Sequence, residues 1–181
     1  GHDICLVTVD DDRSDFFELD PKVERRVLRC AGASKSLIQA LARNWRTLRY
    51  LRGVIRDMAP DAVLSFMDST NVLTSLAAIG LRRRVVVSER NNPDLNPLPL
   101  VWKLARRFAY HLADCIVVQT EAVRDWYVDR GLSKGDYWLV NEKIVSGYVQ
   151  ANFESGAFRG NVGGRYVFTR DTSNFFTQSG G

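Results

Sequence analysis

Polar and charged side chains follow an apolar run near the middle of the chain. Val85, Val86 and Val87 lead directly into Ser88, Glu89, Arg90 and Asn91. Most turns need one or two such residues, whereas this segment combines an acid, a base and amides. Carboxylates and amides bind sugar hydroxyls, and an arginine pairs with phosphate. We therefore predict that this segment lines the rim of a binding site, with simple turn formation as the alternative.

A second polar group follows another apolar run. Residues 62–66, AVLSF, are followed by Asp68 and Asn71, which lie where a helix is predicted to begin. Ligands of open parallel sheets bind outside the carboxyl ends of the strands, and helix N-termini favour anionic or hydroxyl-rich groups. Asp68 and Asn71 are therefore predicted to share one cleft with the first group. Ser69 and Thr120, each before a predicted helix, are interpreted as helix caps only.

Elements that could position these residues alternate along most of the chain. The patterns predict strands over residues 4–9, 23–30, 62–66, 84–88 and 114–119, and helices over 34–58, 70–81, 98–112 and 121–130. Ser34 is the predicted cap of the first helix, since Ser is a favoured N-cap residue. Short apolar strands separated by helices predict an α/β fold with a doubly wound, Rossmann-like parallel sheet.

The pattern changes after Gly131. Residues 143–153 and 158–168 each alternate apolar and polar side chains around a turn at 154–157, which predicts a long antiparallel hairpin. The predicted organisation is a domain over residues 1–131, a junction at 132–136, a hairpin at 137–170 and a disordered tail at 171–181.

The predicted helix over residues 34–58 has an apolar arc and a basic face. Arg43, Arg46, Arg49 and Arg52 lie on that face with Trp45, and Asp57 is the helix's only acid. One interpretation is a solvated face of a soluble domain. The other is contact with anionic lipid headgroups or a phosphorylated substrate.

Composition and charge limit the classes of partner and the cellular compartment that we expect for this protein. The formal net charge of +4, from 25 basic and 21 acidic residues, is well short of a dedicated nucleic-acid binder, so no nucleic-acid partner is expected. The sequence has no transmembrane run and no visible signal peptide. The spacing of the three cysteines, Cys5, Cys30 and Cys115, fits no metal-binding or redox motif, so they are predicted to be buried reduced thiols. The two histidines lie far apart in the sequence, so no metal site is predicted. We expect a cytoplasmic protein, in peripheral contact with the inner membrane face if the basic helix binds lipid.

The segments PDAVLSFMDSTNVLTSLAAIG, RVVVSERNNP and ADCIVVQTEAVRDWY carry a resemblance to a known family. They resemble the N-terminal domain of family 4 retaining glycosyltransferases of the GT-B fold, and GHDICLVTVD is similar to that family's second strand. The resemblance covers residues 1–131. It implies that the family's first strand, its glycine-rich loop and its donor-binding domain lie outside this chain.

The resemblance also implies roles. Six residues are expected on the acceptor side of the cleft: Ser88, Glu89, Arg90, Asn91, Asp68 and Asn71. It identifies no catalytic residue, and the chain is expected to bind no cofactor. In the full-length enzyme the donor would be a UDP- or GDP-sugar, and a hexosyl group would pass to a glycan or lipid-linked acceptor. The chain alone is therefore expected to be inactive.

Residues 137–173 resemble a different protein family. The segment WLVNEKIVSGYVQANFESGAFRGNVGGRYVFT is similar to strands of TonB-dependent outer-membrane receptors. One hypothesis is a chimera, formed by gene fusion or sequence misassembly near residues 131–136. The alternatives to a glycosyltransferase fragment are therefore a receptor fragment and a generic ligand-binding α/β domain, because a fold does not determine a function.

Overall fold

The computed structural model describes residues 2–9, 18–28, 36–132, 136–155 and 158–176. In chain order the strands of these residues are β1 (Cys5–Thr8), β2 (Glu24–Val27), β3 (Ala62–Phe66), β4 (Arg84–Ser88), β5 (Cys115–Val118), β6 (Asp136–Ser155) and β7 (Phe158–Phe176). The helices are α1 (Leu37–Met58), α2 (Asp68–Ala77), α3 (Leu100–Ala109) and α4 (Glu121–Asp129), and a short 3-10 helix follows α3 at Tyr110–Leu112.

A parallel sheet positions the carboxyl ends of the central strands at one edge. The strand order is β3-β4-β5-β6-β7, with parallel pairing from β3 to β6 and antiparallel pairing between β6 and β7. Val87 pairs with Ile116, and both are fully buried. The predicted α/β fold is confirmed, because the β-branched runs form central strands separated by helices.

The strands β1 and β2 form a parallel pair of their own. In the described residues β3 pairs with β4 alone, and its Leu64 is 56% exposed, while Ile4 next to β1 is 57% exposed. The described strands therefore form two separate sheets.

The hydrophobic core lies between the main sheet and its helices. Buried side chains of β4 and β5 meet Tyr110 and Tyr127, and Val7 of β1 and Leu28 pack against the same cluster. Cys5 and Cys115 are free and half-buried, while Cys30 lies outside the described residues. The burial predicted for the cysteines was therefore too complete for these two.

Three helix starts can be compared with the predictions. Thr120 caps α4 as predicted, because its side chain accepts a hydrogen bond from the N–H of Val123 at 3.3 Å. Ser36 caps α1 by accepting from the N–H of Gln39, whereas the predicted cap Ser34 lies outside the described residues. Ser69 lies inside α2, which begins at Asp68, so its predicted capping role is wrong.

The hairpin is continuous with the parallel sheet. Residues Asp136 to Leu139 of β6 pair in parallel with β5, and Tyr137 and Leu139 are buried in the core. The main sheet therefore includes the start of the predicted hairpin, and Asp136, the last residue of the predicted junction, already belongs to β6. Part of the predicted turn, residues 156–157, lies outside the described residues.

The strand β7 is longer than predicted. It continues to Phe176, and residues 171–176 pair with residues 137–142 of β6. The prediction of a disordered tail from residue 171 was wrong for these six residues, because main-chain pairing with β6 orders them despite their polar composition. Residues 177–181 lie outside the described residues.

The helix α1 buries only its second half. Leu51, Val54 and Ile55 are buried, whereas Leu41 on the same helix is 66% exposed. Among the α1 side chains whose burial the structure describes, Thr47 is the first buried one, so residues 38–46 extend beyond the core. Among the described residues, no helix combines the length and the apolar composition that a membrane span requires.

Arg52 of α1 contacts the end of α2. Its Nη1 atom donates to the carbonyl oxygens of Ala77 at 2.9 Å and Ile79 at 2.7 Å. A cation at these carbonyls satisfies acceptors that a helix end leaves free. We expect Arg52→Ala to lower the free energy of unfolding by about 1–2 kcal/mol, because charged hydrogen bonds of this kind are lost. Urea denaturation measures the change, and the exposed Arg49→Ala serves as control; equal effects of the two substitutions would contradict this role.

Candidate functional site

The two predicted polar groups meet at the carboxyl ends of β3 and β4. The Nδ2 atom of Asn71 donates to the carbonyl oxygen of Ser88 at 3.0 Å and to Oε1 of Glu89 at 3.1 Å. The Nδ2 atom of Asn91 donates to Oδ2 of Asp68 at 3.1 Å. Residues far apart in sequence are thus joined at one edge of the sheet, as the strand-end argument predicted.

The six predicted residues divide into accessible and buried members. Asp68 retains 14% side-chain exposure, Asn91 is half-buried, and Arg90 is exposed and stacks over the ring of Phe66 with 5.5 Å between its guanidinium carbon and the ring centre. The other three predicted residues, Asn71, Ser88 and Glu89, are buried. Only Asp68, Arg90 and Asn91 can therefore contact a ligand without rearrangement, and the buried three support them.

The helix α3, the 3-10 helix that follows it and the helix α4 each add one residue that the sequence analysis missed. Arg106 is 4% exposed, and its Nη1 atom lies 3.4 Å from Oδ1 of Asp68 and donates to the hydroxyl of Tyr127 at 3.2 Å. The hydroxyl of Tyr110 accepts from Asn71 at 3.4 Å. Arg106 looks like another surface arginine in a basic helix. Its spacing from Trp102 and Ala109, which share its helix face, is the signal that could have identified it.

Aromatic rings hold the Arg106 guanidinium in place. Its central carbon lies 5.1 Å from the ring centre of Trp126 and 5.5 Å from that of Tyr127. Such cation–π contacts stabilise a desolvated guanidinium. Arg106 is thereby fixed against Asp68, which orients the one accessible carboxylate of the site.

Glu89 is a buried carboxyl at the centre of this network. It is 1% exposed, and its Oε2 atom has no hydrogen-bond donor among the described residues. Burial raises the pKa of Glu89 to about 8, and the negative charge of Asp68 adds to the rise, while the bond from Asn71 and the charge of Arg106 oppose it. Glu89 is therefore mainly protonated at neutral pH. A proton on Oε2 gives this oxygen a hydrogen bond to donate, and the Asp68 carboxylate lies within hydrogen-bonding reach of Glu89.

Tyr127 completes the buried side of the site. Burial raises the pKa of its hydroxyl, and the nearby carboxyl of Glu89 adds to the effect. The hydroxyl therefore stays protonated at all physiological pH values. It accepts from Arg106 and keeps its own proton to donate within the network.

The backbone before Asp68 has an uncommon conformation. Met67 has φ 74° and ψ 142°, a region that non-glycine residues rarely adopt. Such strain persists where the surroundings impose it, and it is found at functional sites. Here it places Asp68 at the first turn of α2, directly after β3.

The basic face of α1 is only partly available to a ligand. Arg46 and Arg49 are exposed, and Arg43 is half-buried. Arg52, predicted as a fourth contact, is bound to the end of α2 instead. In the described part of the chain, no group of three His, Cys, Asp or Glu side chains is arranged to hold a metal ion.

A model of a known protein family matches most of the chain. The model of the family described as "Glycosyl transferase 4-like domain" matches residues 1–140. The match extends past the junction predicted at residues 132–136, in agreement with the continuity of β6 and the parallel sheet. The receptor resemblance of residues 137–173 stays a prediction.

One curated relative and one solved structure are similar over parts of the chain. The relative is the "GalNAc-α-(1→4)-GalNAc-α-(1→3)-diNAcBac-PP-undecaprenol α-1,4-N-acetyl-D-galactosaminyltransferase" of Campylobacter jejuni, 27% identical over 92 residues. That alignment covers 51% of this chain and 25% of the relative, so the chain spans about a quarter of the relative's length. The solved structure is the UDP-GlcNAc 2-epimerase of Methanocaldococcus jannaschii, with a TM-score of 0.45, 16% identity, and coverage of 60% of this chain and 28% of the epimerase.

Proposed function

Because the chain belongs to the family of glycosyl transferase 4-like domains, we propose that it forms the acceptor-binding wall of a glycosyltransferase. The reaction is the transfer of a hexosyl group from a UDP- or GDP-sugar to a glycan or lipid-linked acceptor. The observation that carries the proposal is the accessible Asp68 carboxylate, held by Arg106 and Asn91 at the carboxyl ends of the parallel strands. Ligands of open α/β sheets bind at this edge.

The accessible residues have complementary tasks in this proposal. Asp68 accepts a hydrogen bond from a sugar hydroxyl of the acceptor, and Asn91 offers its remaining amide capacity to a second hydroxyl. Arg90 pairs with an anionic group. Asn71 and Glu89 stay buried and keep Asp68 in position. The donor sugar is bound by another domain, and this chain binds no cofactor of its own.

Charge and the curated relative both favour a lipid-linked acceptor. The name of the Campylobacter jejuni enzyme describes a glycan joined through PP to undecaprenol. Arg46 and Arg49 are exposed on α1, and arginines suit a diphosphate or anionic headgroups. We therefore extend the proposal to a lipid-linked acceptor, with the protein in peripheral contact with the cytoplasmic face of the inner membrane.

Acceptor binding tests the role of Asp68. We expect Asp68→Asn to weaken binding of a soluble glycan diphosphate about tenfold to a hundredfold, because a charged hydrogen bond to the sugar is lost. Titration calorimetry measures the dissociation constant, and circular dichroism checks the fold. The exposed Asp61→Asn, just before β3, is the matched control. Equal affinity of the two variants would refute the acceptor-binding role of Asp68.

A further inference from the structure

The indole of Trp126 on α4 holds the loop that joins β4 to α3. This loop comprises residues 89–99, and it includes Arg90 and Asn91 of the candidate site. The Nε1 atom of Trp126 donates to Oδ1 of Asp94 at 2.7 Å. A hydrogen bond to a carboxylate is stronger than one between neutral groups. We call this pair the Trp126–Asp94 clamp.

Local hydrogen bonds shape the middle of the loop into a tight turn. The Oδ1 atom of Asn92 accepts from the N–H of Asp94 at 2.9 Å, and the carbonyl oxygen of Asn92 accepts from the N–H of Leu95 at 3.1 Å. Asparagine favours such turns, because its side chain bonds to the backbone two residues ahead. These bonds stay within the loop, so they do not fix its position on the protein. Besides the burial of Pro93, the clamp is the one side-chain hydrogen bond, among the described residues, that ties residues 92–99 to another element.

Trp126 is itself held in one orientation. The guanidinium carbon of Arg130 lies 4.2 Å from its ring centre, and Nη1 of Arg130 donates to the carbonyl oxygen of Trp126 at 3.2 Å. The guanidinium of Arg106 contacts the same ring, and Tyr127 meets it edge-on with 5.0 Å between the ring centres. Cation–π and edge-to-face contacts of this kind stabilise a ring in a defined geometry. The donor of the clamp is therefore a fixed side chain of a helix.

Trp126 supports both groups that hold the accessible carboxylate of the site. Through Arg106 it supports the ion pair with Asp68. Through Asp94 it supports the loop from which Asn91 donates to Asp68. We propose that Trp126 is a positioning residue for acceptor binding, because the clamp fixes the loop that presents Asn91. This inference rests on the proposed function and names a residue of α4 that sets the affinity of the site.

The clamp is expected to act on binding more than on stability. Asp94 is exposed and lies in a surface loop, and such loops open locally without unfolding the core. A loop that is already held in its bound position loses less conformational freedom when a ligand binds. Breaking the clamp therefore adds an ordering cost to acceptor binding, whereas the buried sheet stays intact. Affinity and stability should respond differently, which a purely structural role would not produce.

Substitutions of Asp94 in the full chain test this role with little risk to folding. We expect Asp94→Ala to weaken binding of a soluble glycan diphosphate about fivefold, because the hydrogen bond of the clamp is lost. Asp94→Asn should bind within about twofold of the wild type, because its amide oxygen still accepts from the indole. Titration calorimetry measures the dissociation constant, and urea denaturation should give both variants the midpoint of the wild type. The exposed Asp129→Ala on α4 is the matched control and should bind like the wild type.

A double-mutant cycle shows whether Asp94 acts through Trp126. Trp126→Phe keeps an aromatic ring but removes the N–H donor, so it should also weaken binding about fivefold. The double variant Trp126→Phe, Asp94→Ala should lose no more affinity than either single variant, because both substitutions remove the same bond. Two independent losses would instead multiply to about 25-fold, and Asp94 would then be a direct contact of the acceptor.

Two results would overturn the inference alone. One is wild-type affinity of either single variant under conditions in which the wild type binds, and the other is the multiplied loss in the double variant. A wild type that binds no glycan diphosphate refutes the proposed function, and this inference with it. The affinity of the wild type therefore separates a failure of the site from a failure of the clamp.

Discussion

Replacing Arg106 with methionine is expected to lower the free energy of unfolding by about 3 kcal/mol. The substitution leaves the Asp68 carboxylate without its buried cation, and it removes the donor to the Tyr127 hydroxyl and the contacts with two aromatic rings. Removing one partner of a buried ion pair costs about 3–5 kcal/mol. We take the lower end because Asp68 retains 14% exposure to solvent.

A double-mutant cycle separates the ion pair from packing. Asp68→Asn in the Arg106→Met background removes the uncompensated charge, so part of the lost stability should return. Urea denaturation of the four proteins gives the coupling energy. Arg107→Met, at the exposed neighbouring position of α3, is the control and should change stability by less than about 0.5 kcal/mol. An Arg106 variant as stable as the Arg107 variant would contradict the importance of the ion pair.

Most of the fold could be predicted, because the spacing of apolar residues along the sequence indicates the strands and helices. The runs Val85 to Val87 and Ile116 to Val118 are apolar without alternation, which is typical of central parallel strands buried on both faces. In the structure Val85, Val87, Ile116 and Val118 are in the core, and the residues between them are half-buried. The meeting of Asp68 with Asn91 followed from a topological rule, since parallel strands place their carboxyl ends at one edge.

Arg106 and Tyr127 could not be identified in the same way. Their roles depend on how α3 and α4 pack, and a single sequence gives no direct signal for contacts between helices. The same limit explains the error about Arg52, whose partner is the end of another helix. It also explains why the buried support by Ser88 and Glu89 was not distinguished from the accessible rim.

The hairpin shows a different limit. Its alternating pattern predicted two long antiparallel strands correctly, but the pattern does not tell which other strand pairs with the hairpin. Tyr137 and Leu139 are buried against the core because β6 begins as a parallel neighbour of β5. A change of pattern along the chain therefore did not mark a boundary of the sheet.

The buried Glu89 is expected to make the stability of the folded protein depend strongly on pH. The pKa of Glu89 rises from 4.5 to about 8 in the folded protein. Between these values the unfolded chain has lost the proton and the folded chain keeps it, so stability falls as pH rises through this interval. The total loss is about 5 kcal/mol at most, because each unit of pKa corresponds to about 1.4 kcal/mol. Below pH 4.5 the contribution is fully present, and above pH 8 it is lost.

Glu89→Gln should remove this dependence. Glutamine keeps an acceptor for Asn71 and presents a permanent donor to Asp68, so the side chain no longer ionises in either state. We expect the variant to be more stable than the wild type at pH 8, and the two curves to converge or cross near pH 5. Urea denaturation at several pH values measures the difference, in which other titrating groups cancel. The exposed Glu18→Gln should give a curve parallel to the wild type. A Glu89→Gln curve that is also parallel would mean that Glu89 ionises in the folded protein as it does in the unfolded chain.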